Sequence, residues 1–304
     1  MISKPKISLG FPLYNEEKFL RERLESILTQ TFDDFELIIS DNASTDSTEH
    51  ICKEYATKDK RIKYIRQPKN MGSSWNFIFV LQESIGKYFM WVAADDKITN
   101  NYLEKNVNVL DHNSNVVASI GKQQRYDDSG SINLFQINST DSFIKKIYKK
   151  IRNHFRPFGS NLIIGNLENR VQTYLRYSSL YNVYALCRTN ELKQSMKDAS
   201  YFYLDFTIIL NLLKYGEFNV VEDTTFFVYL QGSSSRSIIE IYRSGDINFF
   251  DLFFRYRSFP LWFAKQFGTK LMLQNLDYFI WLNMKSPIAF IIAITILFKN
   301  AFKK

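Results

Sequence analysis

Cysteine and histidine are scarce in this chain of 304 residues, with two of the first and three of the second. Cys52 and Cys187 are far apart and match neither a metal-ligand spacing nor a disulfide framework, so they read as inert thiols of a reducing compartment. His50, His112 and His154 each lack a ligand-like neighbour, which argues against a histidine metal centre. Long apolar runs are missing too. No uncharged stretch exceeds 13 residues, the length of the apolar run Ser286 to Phe298, short of the ~20 that a spanning helix needs. That run suits an interfacial or re-entrant helix better. No secretory hydrophobic segment precedes the first strand, because MISKPKISLGF runs directly into it, and a cytoplasmic location is expected. Acids are absent beyond Asp277, and no Gly-rich, Lys-containing phosphate loop follows the first strand, which disfavours a nucleotidyltransferase.

What is present is ample for a packed core: 45% hydrophobic residues, with an aromatic share of 16% concentrated in the second half. The formal charge of +8 is local. Residues 139–176 carry Lys145, Lys146, Lys149, Lys150, Arg152, Arg156, Arg170 and Arg176 against Asp141 and Glu168 alone. Phe143, Ile144, Ile147, Tyr148, Ile151 and Phe155 recur on the other face, which predicts a basic amphipathic helix. Lys285, Lys299, Lys303 and Lys304 flank the last apolar run. Positive charge beside apolar residues points to an anionic membrane surface and not to nucleic acid.

Strand-like and helical patterns alternate through the first half. Strands are expected at Ile7–Phe11, Phe35–Ile39, Ile62–Ile65, Tyr88–Val92 and Val116–Ile120, with helices near 16–30, 46–56, 73–82 and 101–110. Further on, Asn182–Cys187 and Val220–Tyr229 read as strands and Phe206–Lys214 as a buried helix ended by Gly216. That alternation predicts an α/β fold with a mostly parallel sheet. Ligands in such sheets bind past the strand carboxyl ends. Four polar motifs stand at those ends: FPLYNEE (11–17), SDNASTDST (40–48), PKNMGSSWN (68–76) and AADD (93–96).

Each motif has a physical reading. Pro12 lacks an N–H and should end its strand, while Asn15 and Glu16 either cap the next helix or face a ligand. Asp41, directly after a strand, is placed to accept a hydrogen bond from the imide N–H of uracil or thymine. Asn42, Ser44 and Thr45 suit turns and caps, and Asp46 with Glu49 resembles a capping box. Gly72 allows positive φ or close backbone approach, and the helix start after Asn70 offers unpaired N–H donors. Arg66 and Lys69 either help hold phosphate or are solvated, and Asn76 reads as structural. Asp95 and Asp96 repel each other unless a cation or donors compensate, which a divalent ion bridging to diphosphate would do. The alternative is that they cap the helix near Thr99.

In combination these motifs resemble the inverting nucleotide-sugar glycosyltransferases of family 2, which have the GT-A fold. The resemblance is good over residues 5–120 and weaker to about 230. It implies that the loop of Pro12, Tyr14 and Glu16 borders the nucleoside, with Asp41, Asn70, Gly72 and Asp95 also at the donor. It implies further that Asp95 and Asp96 stand for a D-x-D motif holding Mn²⁺ or Mg²⁺, with Ala93 in place of the first acid. The catalytic base of such enzymes comes from an acid pair opening a later helix. Here that is Asp205, with Leu204 replacing its companion, although an acid before an apolar helix also suits an N-cap. Residues 182–188 match a strand near the acceptor, and residues 231–236 match a loop that closes over diphosphate or serve as a plain linker.

The expected organisation is a GT-A domain over residues 1–232, its donor half within 1–120 and acceptor half within 121–232, followed by a helical, membrane-associating extension over 233–304. The implied partners are a nucleotide-sugar donor, a glycan or lipid-linked acceptor and the inner face of the cell membrane. Two rivals remain. One is a polyprenyl-phosphate sugar synthase, whose acceptor needs no deprotonation; the other is a non-catalytic nucleotide-sugar-binding protein, for which Ala93 and Leu204 speak.

Overall fold

The computed structural model describes residues 4–128, 130–131, 143, 146–147, 150, 159–177, 179–199, 204–230 and 256–284. Most of the basic amphipathic stretch, the 231–236 loop and the apolar run 286–298 lie outside the described residues. The chain divides into two compact units. The first takes in Met1–Ser131, Gly159–Tyr174 and Ser178–Tyr229; the second takes in Ile132–Phe158, Leu175–Tyr177 and Leu230–Lys304.

The first unit is built on β1 (Ile7–Leu13), β2 (Phe35–Asp41), β3 (Ile62–Arg66) and β4 (Tyr88–Trp91), separated by α1 (Glu17–Leu28), α2 (Thr48–Lys58) and α3 (Ser73–Gln82). These four strands run parallel in the order β3-β2-β1-β4, as βαβ crossovers require. The inner strands β1 and β4 are buried almost throughout, as strands covered on both faces are, whereas β2 carries Glu36 and the edge strand β3 carries exposed Lys63 and Arg66. Trp91, Tyr88, Phe11 and Phe89 are among the largest fully buried side chains, each worth roughly 1.5–3 kcal/mol of transfer free energy. The sheet continues through β8 (Leu186–Arg188), β6 (Val116–Asp127), β9 (Glu217–Tyr229) and β5 (Lys97–Ile98), with β7 (Gly130–Ser131) beside β6. Of these, β8 runs antiparallel to both β4 and β6, while β6 and β9 are parallel. The expected α/β architecture with its parallel half is therefore present, and a mixed half completes it.

Several boundaries differ from expectation. Pro12 does not end β1, which runs on to Leu13 with Pro12 opposite Ser40. Its missing N–H acts on the other side, where pairing with β4 stops at Gly10↔Trp91. Residues 182–187 are not one strand. Leu180–Tyr184 form a 3₁₀ turn, started by Ser179 Oγ accepting the Tyr181 amide, and only Leu186–Arg188 join the sheet. The remaining helices are α4 (Tyr102–His112), α5 (Leu167–Tyr177), α6 (Thr189–Lys197) and α7 (Leu204–Leu212), all of this unit except Leu175–Tyr177 of α5, which belong to the second. Cys52 and Cys187 are both buried and free, and burial pushes the Cys52 thiol up to about 12.

In the second unit, α8 (Phe259–Phe267) and α9 (Thr269–Gln274) precede a helical segment over residues 276–284. Phe259, Phe263 and Phe279 form its core, with ring centroids 5.0–6.3 Å apart. The 276–284 segment buries Tyr278, Phe279, Trp281 and Leu282, yet Leu276, Ile280 and Met284 are 45–57% exposed on its outer face. Its acid, Asp277, is gripped by both terminal nitrogens of Arg176 at 3.0 and 3.1 Å. Among the described residues, no helix is long and apolar enough to cross a membrane.

Candidate active site at the strand carboxyl ends

The loops after β1 and β2 are tied to each other by side chains. Asn15, at φ 54°, donates its amide to Ser44 Oγ at 3.0 Å, and its Oδ1 accepts the Thr45 amide at 2.8 Å. The Glu16 amide donates to Thr48 Oγ1 and the Glu17 amide to Asp46 Oδ2, while Glu17 Oε2 accepts the Ser47 amide. The start of α1 is thus capped from the neighbouring loop, and Glu16, at its N-cap, makes no side-chain cap bond. Asp46 and Glu49 form no capping box. Asp46 serves α1 and Thr48, whereas Glu49 pairs with Lys53 and Arg66.

The third loop is tied in the same way. Asn42 donates to Asn70 Oδ1 at 2.8 Å and accepts the Met71 amide at 2.8 Å. Asn70 Oδ1 also accepts the Gly72 amide at 2.9 Å. Gly72 is the N-cap of α3 at φ 91°, and a Cβ there would meet nothing within 4 Å, so glycine is needed for its backbone angle and not for space. Below the loops, buried Asn76 donates to the Leu13 and Ser40 carbonyls and accepts from Ser40 Oγ. The structural reading of Asn76 holds, since it closes the ends of two adjacent strands.

Asp41 is fully buried. Its Oδ1 accepts the Ser44 amide at 2.8 Å, and its Oδ2 accepts Tyr64 Oη at 2.9 Å and Arg66 Nη1 at 3.0 Å. Arg66 also donates to the Ser44 carbonyl and pairs with Glu49. Its guanidinium, 35% exposed, thus lies against the Asp41 carboxylate. Tyr14, Asn70 and Gly72 are exposed nearby in the chain, and Pro12 and Glu16 are half-buried.

Asp95 and Asp96 follow β4 and precede β5, both half-buried. They do not cap a helix: α4 starts at Tyr102 behind Asn101. The Asp96 carboxylate accepts the Tyr229 amide at 3.0 Å. Burial first, and then the charge of Asp95, raise its pKa well above the ordinary carboxylate value, with the Tyr229 amide and Arg23 opposing. Asp205 stands in the first turn of α7, exposed between buried Leu204 and Phe206. The phenol of Tyr184 feels the charge of all three acids. Its pKa is pushed far up by burial and then by Asp96, Asp205 and Asp95 together. Three acids from two distant segments therefore act on one ring. That ring stacks on Phe226 at 5.4 Å and meets Phe77 edge-on at 6.3 Å, and Phe77 stacks on Trp91 at 4.8 Å. Arg188 is not part of this group. It donates to the carbonyls of Val116, Leu110 and Asn113, closing the end of α4.

Three residues behind the acid pair escape the motif reading: Arg23, Tyr126 and Tyr229. Arg23 gave a visible signal. It occupies the apolar face of α1 set by Leu20, Leu24 and Ile27, and is 2% exposed, where a charge is costly unless it serves something.

Comparison with known proteins bears on the family and the fold. The family model described as "Glycosyl transferase family 2" matches residues 8–167. Glycosyltransferase GlyA of Streptococcus pneumoniae is 32% identical over 152 residues, covering 50% of this chain and 21% of that protein. The putative glycosyltransferase EpsE of Bacillus subtilis is 38% identical over 112 residues, 36% of this chain and 40% of the relative. The chain thus spans less than half the length of either. Among solved structures, Staphylococcus aureus TarS 1-349 in complex with UDP-GlcNAc superposes with a TM-score of 0.61 at 18% identity, over 90% of this chain and 72% of that one. The mannosyltransferase PcManGT from Pyrobaculum calidifontis, in complex with GDP-Man and Mn²⁺, gives 0.54 at 15% identity, over 97% and 76%. These two likenesses concern the fold. With more than half of its length matched by the family model, the chain belongs to glycosyl transferase family 2 and has the GT-A architecture of its structural neighbours.

Proposed function

We propose that the chain is an inverting glycosyltransferase that moves a sugar from a nucleotide diphosphate, UDP in the first instance, to a hydroxyl of a glycan or lipid-linked glycan in cell-surface polysaccharide synthesis. What supports this is the family 2 match over residues 8–167, together with acids from two distant segments, Asp95 with Asp96 and Asp205, whose charges all bear on the buried phenol of Tyr184. A single displacement needs a base on one side of the anomeric carbon and charge stabilisation on the other. Asp205, exposed at a helix start, is the base that takes the acceptor proton. Asp95 and Asp96 face the departing diphosphate.

A divalent ion suits the acid pair. Among the described residues no cluster of three or more acids, histidines or cysteines stands ready to enclose a metal. An acid pair in which burial and then the charge of Asp95 resist ionisation of Asp96 nonetheless matches Mn²⁺ or Mg²⁺, which take few protein oxygens and complete their shell with substrate and water. When bound, such an ion would neutralise charge on the leaving diphosphate. Asp95 and Asp96 would hold it.

At the base, Asp41 and Arg66 together offer an acceptor beside donors. In this reading Arg66 moves from Asp41 onto a uracil carbonyl, the imide N–H takes its place on the carboxylate, and Tyr14, Pro12 and Glu16 border the nucleoside. Asn70 and Gly72 present the α3 start to the donor. Membrane contact at the inner face is supported by the exposed Leu276, Ile280 and Met284 and by the lysine-flanked apolar run that follows in sequence. Thermal shift with UDP-, GDP- and TDP-sugars, with and without Mn²⁺, tests the reading. A native-state ligand at a hundred times its Kd adds about 2.7 kcal/mol, so UDP-sugars plus Mn²⁺ are expected to raise Tm by several degrees. No shift with any nucleotide sugar would leave the proposal without its donor.

A further inference from the structure

We infer that Arg23 and Tyr126 form a relay that positions the Asp95–Asp96 pair, an inference that rests on reading this pair as the donor and metal site. Arg23 reaches out of α1 and donates from Nη2 to Tyr126 Oη at 3.0 Å. Tyr126, on β6, passes its own proton on, donating to the Asp95 carbonyl at 3.0 Å. One hydroxyl thus accepts from the guanidinium and fixes the backbone of the acid pair. The far side of the pair is held independently, by the Tyr229 amide on Asp96. Aromatic contacts stiffen the frame: Tyr126 lies 5.2 Å from Tyr229, Tyr229 lies 5.1 Å from Phe19, and Phe19 lies 5.7 Å under the Arg23 guanidinium.

The fold alone gives no reason for this arginine. It is 2% exposed on an apolar helix face. Its Nε and Nη1 find no hydrogen-bond partner among the described residues, and its ion pair is a 3.3 Å approach to a Glu22 that also binds Lys97. Beside it is a cavity of about 20 Å³ lined by Arg23, Ala93, Asp96 and Phe226 among others. A methionine would fill this place without unpaired donors. What methionine cannot do is hold Tyr126, and through it the Asp95 carbonyl. Groups that orient ligating carboxylates without touching the ion typically change metal affinity by about 10–100-fold.

The test separates positioning from charge by sign. Removing a buried cation near two carboxylates should by itself tighten Mn²⁺ binding, whereas loss of positioning weakens it. Mn²⁺ is titrated by electron paramagnetic resonance in the presence of UDP, with circular dichroism and Tm recording the fold. Arg23→Met and Tyr126→Phe are each expected to raise the Mn²⁺ Kd about tenfold or more, and the double variant no further, because both break one relay. Tyr126→Phe removes a single oxygen, so it decides the matter even if Arg23→Met fails to fold. Arg23→Lys, with a single donor nitrogen in place of a fork, should recover part of the loss. Wild-type-like or tighter Mn²⁺ binding by folded Tyr126→Phe and Arg23→Met would overturn the relay while leaving the donor site standing. Absence of Mn²⁺ uptake by the unaltered chain with UDP would bring down the site reading and the relay with it.

Discussion

Asn15 Oδ1 accepts the backbone amide of Thr45 at 2.8 Å across 30 residues of sequence. With the Ser44, Thr48 and Asp46 bonds, it makes the first two loops of the site one stitched unit. Half of the polar residues that mark these motifs are consumed in the stitching. Asn15→Ala removes the side-chain acceptor and leaves a non-glycine residue in the left-handed region. It should lower stability by about 1–2 kcal/mol in urea unfolding and raise the donor KM while changing kcat little.

Asp205→Asn keeps shape and removes basicity. Transfer to a sugar hydroxyl should fall by about 10²–10⁴ in kcat, with the UDP dissociation constant within threefold of the parent. Near-normal turnover on a polyprenyl phosphate would favour the rival synthase instead, because a phosphate nucleophile arrives already ionised.

Asn76→Leu exposes the Leu13 and Ser40 carbonyls to an apolar neighbour. About 2–3 kcal/mol of stability should go, read as a lower urea midpoint with unchanged slope.

The Asp111 carboxylate supplies a pH test away from the chemistry. Burial works against its ionised form, but Lys6 at 2.6 Å, Tyr88 Oη at 2.8 Å and Lys87 at 3.1 Å outweigh it and hold its pKa down to about 2. A lowered folded-state pKa gives stability that is complete above the unfolded value near 4 and is lost as pH falls toward 2. Asp111→Asn should therefore cost about 1 kcal/mol at pH 7, after allowance for solvent screening of a quarter-exposed group, and only a small part of that at pH 2. Equal losses at both pH values would contradict the ion-pair account.

Truncation after Asn283 should abolish co-sedimentation with vesicles containing anionic lipid and leave UDP affinity intact. Persistent sedimentation of the truncated chain would remove the tail from the account.

Legibility of the sequence varied with the kind of signal. Ser73–Gln82 was read to the residue, because Gly72 and the apolar run mark both ends of α3. The parallel half of the sheet was equally plain, since each strand is a short, mainly apolar segment between helical patterns. Residues 182–187 misled because buried Val183, Ala185, Leu186 and Cys187 look strand-like, whereas Ser179 starts a 3₁₀ turn. Asp46 misled because a capping box and a cross-loop latch use the same residues. Arg23 was passed over because its meaning depends on Tyr126, a residue from another strand that helical spacing cannot reveal.

The placement of β8 has a consequence for biosynthesis. Strands β3, β2, β1 and β4 can pair once the first 91 residues have emerged, but among the described residues the outer edge of β4 pairs only with β8, Leu186–Arg188. For the time it takes to translate the intervening stretch, Tyr88 and Phe89 offer an open hydrogen-bonding rim to any extended chain nearby. Ribosome-stalled or prematurely ended products that stop between Ser131 and Ala185 should for that reason clump or recruit chaperones, whereas those extending past Arg188 seal the rim and stay dispersed.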